Sequence, residues 1–285
     1  MSSDSSQPHL EFRSAEPADT GFLTGGGELG QRIREKDWRL TPLGAPATWP
    51  SSLKTAVRIM LASRQPFWIG WGRDLIYLYN DAYKSIIGAK HPDALGQPVA
   101  HVWREIWTDI EPLLSTALTG MQGTYVEAQR LIMERNGYPE ETYYTFSYSP
   151  IPDEDGQPGG IICANTDDTR RVIGERQISL LRELGARTAD ALSVDQVCVL
   201  AAQALACDPF DLPFAMIYLA DPTGSVFTLM GTSGIEPDHD AAPRVIDGDA
   251  DNCCHVHAAV VAQTVRIVPA LERRYARGLP TGAWN

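Results

Sequence analysis

The stretch WGRDLIYLYNDAYKSIIGAKHP, Trp71 to Pro92, decides how this chain folds. It opens on a tight Gly-Arg-Asp turn, continues as the apolar segment Leu75–Tyr79, and breaks at Asn80-Asp81 into a short helical segment ending at Gly88. Aromatic and β-branched residues flank the turn and suit a pleated surface, so Phe67–Gly72 and Leu75–Tyr79 read as a β-hairpin. Asn80 stands where a side-chain oxygen can cap the next helix. A chain that switches from sheet to helix at this point can lay its helices back across the sheet and close a pocket.

Upstream lies DWRLTPLGAPATWPSSLKTAVRIMLASRQP. Ser51 or Ser52 is placed to cap a helix in which Leu53, Ala56, Val57, Met60 and Leu61 form one apolar stripe, and Pro66 stops it. Residues 25–65 therefore read as an N-terminal helical extension. Gly25-Gly26-Gly27 reads as a flexible hinge, without the spacing of a phosphate loop. Residues 1–24, rich in Ser, Asp, Glu and Pro, read as a disordered tail. Downstream, Val99–Gly120 reads as one long helix kinked at Pro112. Tyr125–Glu134 and Glu140–Ser149 read as a second hairpin around Asn136-Gly137, and Gly159–Asn165 as a last strand.

At 285 residues the chain has room for about two domains. Apolar residues make up 44% and charged residues 21%, enough apolar content for a sizeable core. A net charge of −12, from 24 basic and 36 acidic residues, opposes contact with a phosphate backbone, so nucleic acid is not an expected partner. No apolar run has the length of a membrane span, and the polar N-terminus lacks a signal core, so a cytoplasmic location is expected. The five cysteines are scattered and form no Cys-x-x-Cys pair, which argues for reduced thiols.

The order from residue 66 is two strands, short helices, a long helix and three strands, and it resembles the PAS fold. The segments GGGELGQRIREKDWRLTPLGAPATWPSSLKTAV, WGRDLIYLYNDAYKSIIGAKHPDALGQPV, VWREIWTDIEPLL and EETYYTFSYSPIPDEDGQPGG resemble the N-terminal PAS sensor region of bacterial sensor histidine kinases. The expected fold is α+β. It comprises a five-stranded antiparallel PAS sheet with helices on one face over residues 66–166, a helical linker at 167–192, and an incomplete GAF-like module at 193–285. In that last part Ser193 and Gln196 form a capping box, and Val197, Leu200, Ala201 and Leu205 form an apolar face. The chain reads as a sensor without its output, a truncated portion of a longer protein. The resemblance implies a non-catalytic module that binds a small-molecule signal of unknown identity. It also implies a homodimer through the linker, whose apolar residues are Val172, Leu180, Leu181 and Leu184, and a response regulator reached only through a kinase region absent here.

Trp68, Trp71, Tyr79, Tyr83, Trp103, Trp107, Tyr144, Phe146 and Tyr148 are candidate pocket residues; the plainer alternative is that they fill the core. His101, at the start of the long helix, is a candidate haem ligand, against the alternative of an exposed first-turn residue. Cys253, Cys254, His255 and His257 carry metal-ligating groups, but adjacent residues on one element rarely converge on one ion. The cofactor is unknown. Two further readings stand beside the ligand sensor: a haem-, flavin- or bilin-binding photo- or redox sensor, and a dimerisation scaffold with a filled core.

Overall fold

The computed structural model describes residues 21–120, 122–248, 256–275 and 278–284. Most of the expected N-terminal tail, and Cys253, Cys254 and His255, lie outside the described residues. The chain divides into two compact units between Arg170 and Arg171.

In the first unit, helices Gly27–Glu35 (α1) and Ser51–Ala62 (α2) precede strands Phe67–Trp71 (β1) and Ile76–Tyr79 (β2). Short helices Lys84–Ile87 (α3) and Val99–Val102 (α4) lead into Trp107–Gly120 (α5). Strands Thr124–Met133 (β3), Glu140–Pro152 (β4) and Pro158–Asp167 (β5) complete the unit. The five strands make one antiparallel sheet in the order β2-β1-β5-β4-β3, and both expected hairpins are present. The register lines up Tyr79, Trp68, Cys163, Tyr148 and Thr124 in one row across all five strands. Side chains alternate along a strand, so Ile69 and Trp71 face the other way, where α2 packs. Double coverage explains why Ile76–Tyr79 is buried at every position instead of alternating.

Asn80 ties these layers together. Its Nδ2 donates to the carbonyls of Met60 at 3.1 Å, Ser63 at 3.2 Å and Gln65 at 2.8 Å, so it receives the end of α2 and the loop that follows. Its Oδ1 accepts from Phe67 N at 3.1 Å and Tyr83 N at 3.2 Å, fixing the start of β1 and the short 3-10 turn Asp81–Tyr83. The neighbouring Asp81 carboxylate accepts from the backbone of Glu28 at 3.0 Å and Leu29 at 2.8 Å, capping α1 from 52 or 53 residues away. Three observations revise the expected N-terminal region. Gly25-Gly26-Gly27 is no hinge: all three have positive φ, and a Cβ on Gly27 would meet Asp81 Oδ2 at 2.0 Å, so the run shapes the end of α1 around its cap. The tail was expected to reach residue 24, yet Gly21–Leu23 forms a 3-10 turn and Leu23 is buried, because its side chain completes the apolar cluster of Leu29, Ile33, Trp38 and Trp49. α2 starts at Ser51 with no side-chain cap, so neither serine performs the expected role.

The expected long helix is interrupted at Trp103 (φ −113°, ψ 37°), not at Pro112, which α5 accommodates in its first half. The reason lies in the tertiary contacts of the indole. Trp103 Nε1 donates to the buried Tyr77 hydroxyl at 3.1 Å, and the carbonyl of Val102 at the break accepts from Lys90 Nζ at 2.6 Å.

The second unit contains most of helix Thr169–Thr188 (α6), then Val194–Leu205 (α7), strands Ala215–Ala220 (β6), Val226–Ser233 (β7) and Val245–Asp247 (β8), and Val256–Ala262 (α8). Ser193 caps α7 through Gln196 N, while the Gln196 side chain returns to Leu192 N. The buried face of α7 is Cys198, Ala202 and Ala204, not the stripe expected from Val197 to Leu205. Small residues win because the helix lies against Gly231 of β7, where a Cβ would come within 2.8 Å of Ala202 Cβ. From residue 235 onward Ile235, Ala241 and Ala242 are buried, with Tyr275 and Leu279 packed against them.

Asn80→Ala orphans several buried backbone groups at once. At about 1–3 kcal/mol for a buried group left unsatisfied, partly relieved by water, the expected loss is about 3 kcal/mol by chemical denaturation. Asn80→Asp, the same size but presenting an oxygen to three carbonyls, should cost at least as much.

Candidate functional site

The helices α3 and α5 lie over the aromatic row of the sheet and leave a small cavity of about 30 Å³. Of the nine candidate aromatics, Trp68, Tyr83, Trp103, Tyr144, Phe146 and Tyr148 line it. The rest of the wall is aliphatic (Ile86, Ile106, Ile110, Leu131, Met133) apart from Asn165. Three candidates lie elsewhere. Trp71 sits on the opposite face of the sheet beside Trp49 and Leu53. Trp107 is half-buried at the edge of the core. Tyr79 is fully buried in the same row as Trp68, one strand beyond the cavity.

The rings touch in sequence: Trp68 and Tyr77 at 5.1 Å between centroids, Trp68 and Tyr148 at 5.7 Å, Phe146 and Tyr148 at 4.9 Å. Burial raises the pKa of Tyr77, Tyr83 and Tyr148, and that of the Cys163 thiol between them, so all four stay neutral. Asn165 Nδ2 donates to Cys163 Sγ at 3.2 Å. Tyr77 and Asn165 were absent from the sequence-based candidates. Tyr77 shares strand parity with Tyr79, which would have identified it; Asn165 is recognisable only from the pairing that sets it opposite Phe146.

Tyr79 leads outward. Its hydroxyl lies 2.9 Å from His91 Nδ1, and His91 Nε2 lies 3.1 Å from Glu28 Oε1 of α1. Glu28 also accepts from Arg32 at 2.7 Å and Lys84 at 2.9 Å. The Lys84 hydrogen bond first, then those of Arg32 and His91, lower the pKa of Glu28 to about 2.

His101 is exposed and lines an outer groove of about 360 Å³ with Lys90, Asp93 and Arg104, not the inner cavity. Lys90 is held beside it by Glu105 Oε1 at 2.5 Å and by the Trp103 ring, 4.3 Å from its ammonium. On α6 no residue is buried: Val172, Leu180 and Leu184 are half-buried, and Leu181 is 66% exposed. His257 lies on α8, 6.4 Å from the Phe227 ring. Among the described residues no three His, Cys, Asp or Glu side chains converge as metal ligands. A haem, flavin or bilin does not fit the inner cavity, since sites for ligands of that size span roughly 300–1,000 Å³.

Residues 61–173 match the family model for the PAS fold, and this part of the chain is a PAS domain. No curated protein matches the chain. Among solved structures it is similar to a sensory box sensor histidine kinase from Vibrio cholerae, with 16% identity over 40% of this chain and 86% of that one and a TM-score of 0.29. It is also similar to the PAS domain of a Colwellia psychrerythraea protein, with 17% identity over 41% and 98% and a TM-score of 0.34. A third is an RNA-binding Light-Oxygen-Voltage receptor, with 15% identity over 50% and 41% and a TM-score of 0.34.

A carboxylate whose pKa is depressed in the fold contributes stability above its unfolded value and loses it as the pH falls through the folded value. For Glu28 that loss belongs between its ordinary 4.5 and about 2. A carbon-13 titration of the Glu28 carboxyl should therefore show little protonation at pH 4, and Lys84→Ala should move its midpoint upward.

Proposed function

We propose that this chain is the sensory portion of a bacterial two-component signalling protein. Its PAS domain responds to a small molecule and transmits the response through α6, and residues 193–285 are a GAF-like module. The observation that carries this reading is the junction between sheet and helix. Asp168 Oδ2 accepts from Thr145 Oγ1 on β4 at 2.6 Å, and that same oxygen of Thr145 accepts from Ala128 N on β3 at 3.0 Å. Ala128, at φ +47°, sits in the bulge of β3. Tyr143 N donates to Thr169 Oγ1 at 3.0 Å, and Asp168 N to the carbonyl of Tyr143 at 2.9 Å. The first residues of α6 are thus bonded to the strand whose opposite face carries Tyr144, Phe146 and Tyr148. A shift of those rings moves β4, and α6 begins on β4.

The exposed Leu181 and Ile178 on α6 support a second copy as its partner. A lone helix with an apolar stripe gains stability by burying it. The kinase region and response regulator belong to the proposal only as the output of the parent protein. A second reading, a dimerisation scaffold with a filled core, is favoured by the small cavity.

Thr145→Val removes the hydroxyl that joins β3, β4 and Asp168 while keeping the shape. Hydrogen exchange should become faster at the first two turns of α6 with the sheet amides unchanged; equal exchange in both proteins would break the proposed route. Leu181→Glu with Leu184→Glu should convert a dimer to a monomer by light scattering, and a wild-type chain already monomeric at tens of micromolar would remove the dimeric relay.

A further inference from the structure

The wall of the inner cavity presents polar groups to its interior, among them a tyrosine hydroxyl and an amide oxygen. Tyr148 is 4% exposed, and among the described residues its hydroxyl has no hydrogen-bond partner. Asn165 is 6% exposed; its Nδ2 is engaged by Cys163, while its Oδ1 has no partner among the described residues. Two nearby hydroxyls already accept a hydrogen bond. Tyr144 accepts from Arg135 Nη1 at 2.9 Å, and Tyr77 accepts from the Trp103 indole. The Tyr148 hydroxyl and Asn165 Oδ1 therefore line the same small volume, each without a partner among the described residues.

That wall contains no Asp, Glu, Lys, Arg or His. An ion placed there would lose its hydration and meet no opposite charge, a cost far larger than that of burying a neutral polar group whose hydrogen bonds are met. Size sets a second limit. One water needs roughly 10–15 Å³ of such space, so about 30 Å³ admits two or three heavy atoms.

Resting on the sensory reading above, we propose that the inner cavity binds a neutral molecule of about three heavy atoms that carries both a hydrogen-bond acceptor and a donor. Its acceptor takes the Tyr148 hydroxyl proton, and its donor is taken by Asn165 Oδ1. Larger or charged molecules are excluded by the aromatic and aliphatic wall.

Formamide and formate test this directly, because they share size and shape and differ in charge. The whole chain, labelled at asparagine nitrogen, is titrated with each below denaturing concentrations, and the Asn165 side-chain resonance is followed. Formamide should give a saturable shift, with formate at least about tenfold weaker. Tyr148→Phe, which keeps the ring and removes one oxygen, should weaken formamide several-fold. No saturable shift with formamide, equal response to formate, or unchanged affinity in Tyr148→Phe would each overturn the proposal. Hydrogen exchange along residues 169–188 in the same samples reads the sensory mechanism separately. Formamide binding with no change in α6 would leave the site standing and overturn the relay.

Discussion

One buried side chain organises the first unit. Asn80 is 2% exposed and bonds the end of α2, the loop after it, the start of β1 and the turn after β2. Hydrophobic burial supplies most of the stability of such a core, because each aromatic removes roughly 150–250 Å² from water, but burial has no direction. The amide has direction: its two N–H groups and its oxygen meet backbone groups of four separate segments. The same dipeptide acts twice, since Asp81 caps α1 and brings Glu28 beside Lys84 and His91. The N-terminal extension is therefore part of the domain's architecture although the PAS family match begins only at residue 61.

The aromatic interior decides what the site can do. Six of the nine rings picked as pocket residues do surround the cavity, and by filling it they leave about 30 Å³. Pocket and core are the same residues here. This is why His101 and the inner cavity separate: the break at Trp103 turns the indole inward onto Tyr77, and His101, two residues earlier, remains on the outside. The break also explains Lys90, whose ammonium serves the carbonyl at the break, the Glu105 carboxylate and the Trp103 ring together. A cavity this small has room for only a few heavy atoms.

Much of the architecture was legible without coordinates. Period-2 alternation in Glu140–Ser149, the Asn-Gly turn before it, the 3.6-residue stripe of α2 and the Asn80 cap are local signals, and each depends on residues a few positions apart. They determine which segments are strands, where the hairpins turn and that the sheet carries helices. What only the tertiary structure decided depends on groups distant in sequence. Asp81 capping α1 makes the Gly25-Gly26-Gly27 run a shaped end instead of a hinge. The indole of Trp103 reaching Tyr77 breaks a helix that is continuous by periodicity. Gly231 draws the small face of α7 inward in place of the larger apolar stripe. The pairing of β1 with β5 brings Trp68 and Tyr148 together on either side of Cys163 and so creates the cavity. In each case the local preference is worth about 1 kcal/mol or less, and a buried hydrogen bond or a close backbone approach, available only once the chain is folded, outweighs it.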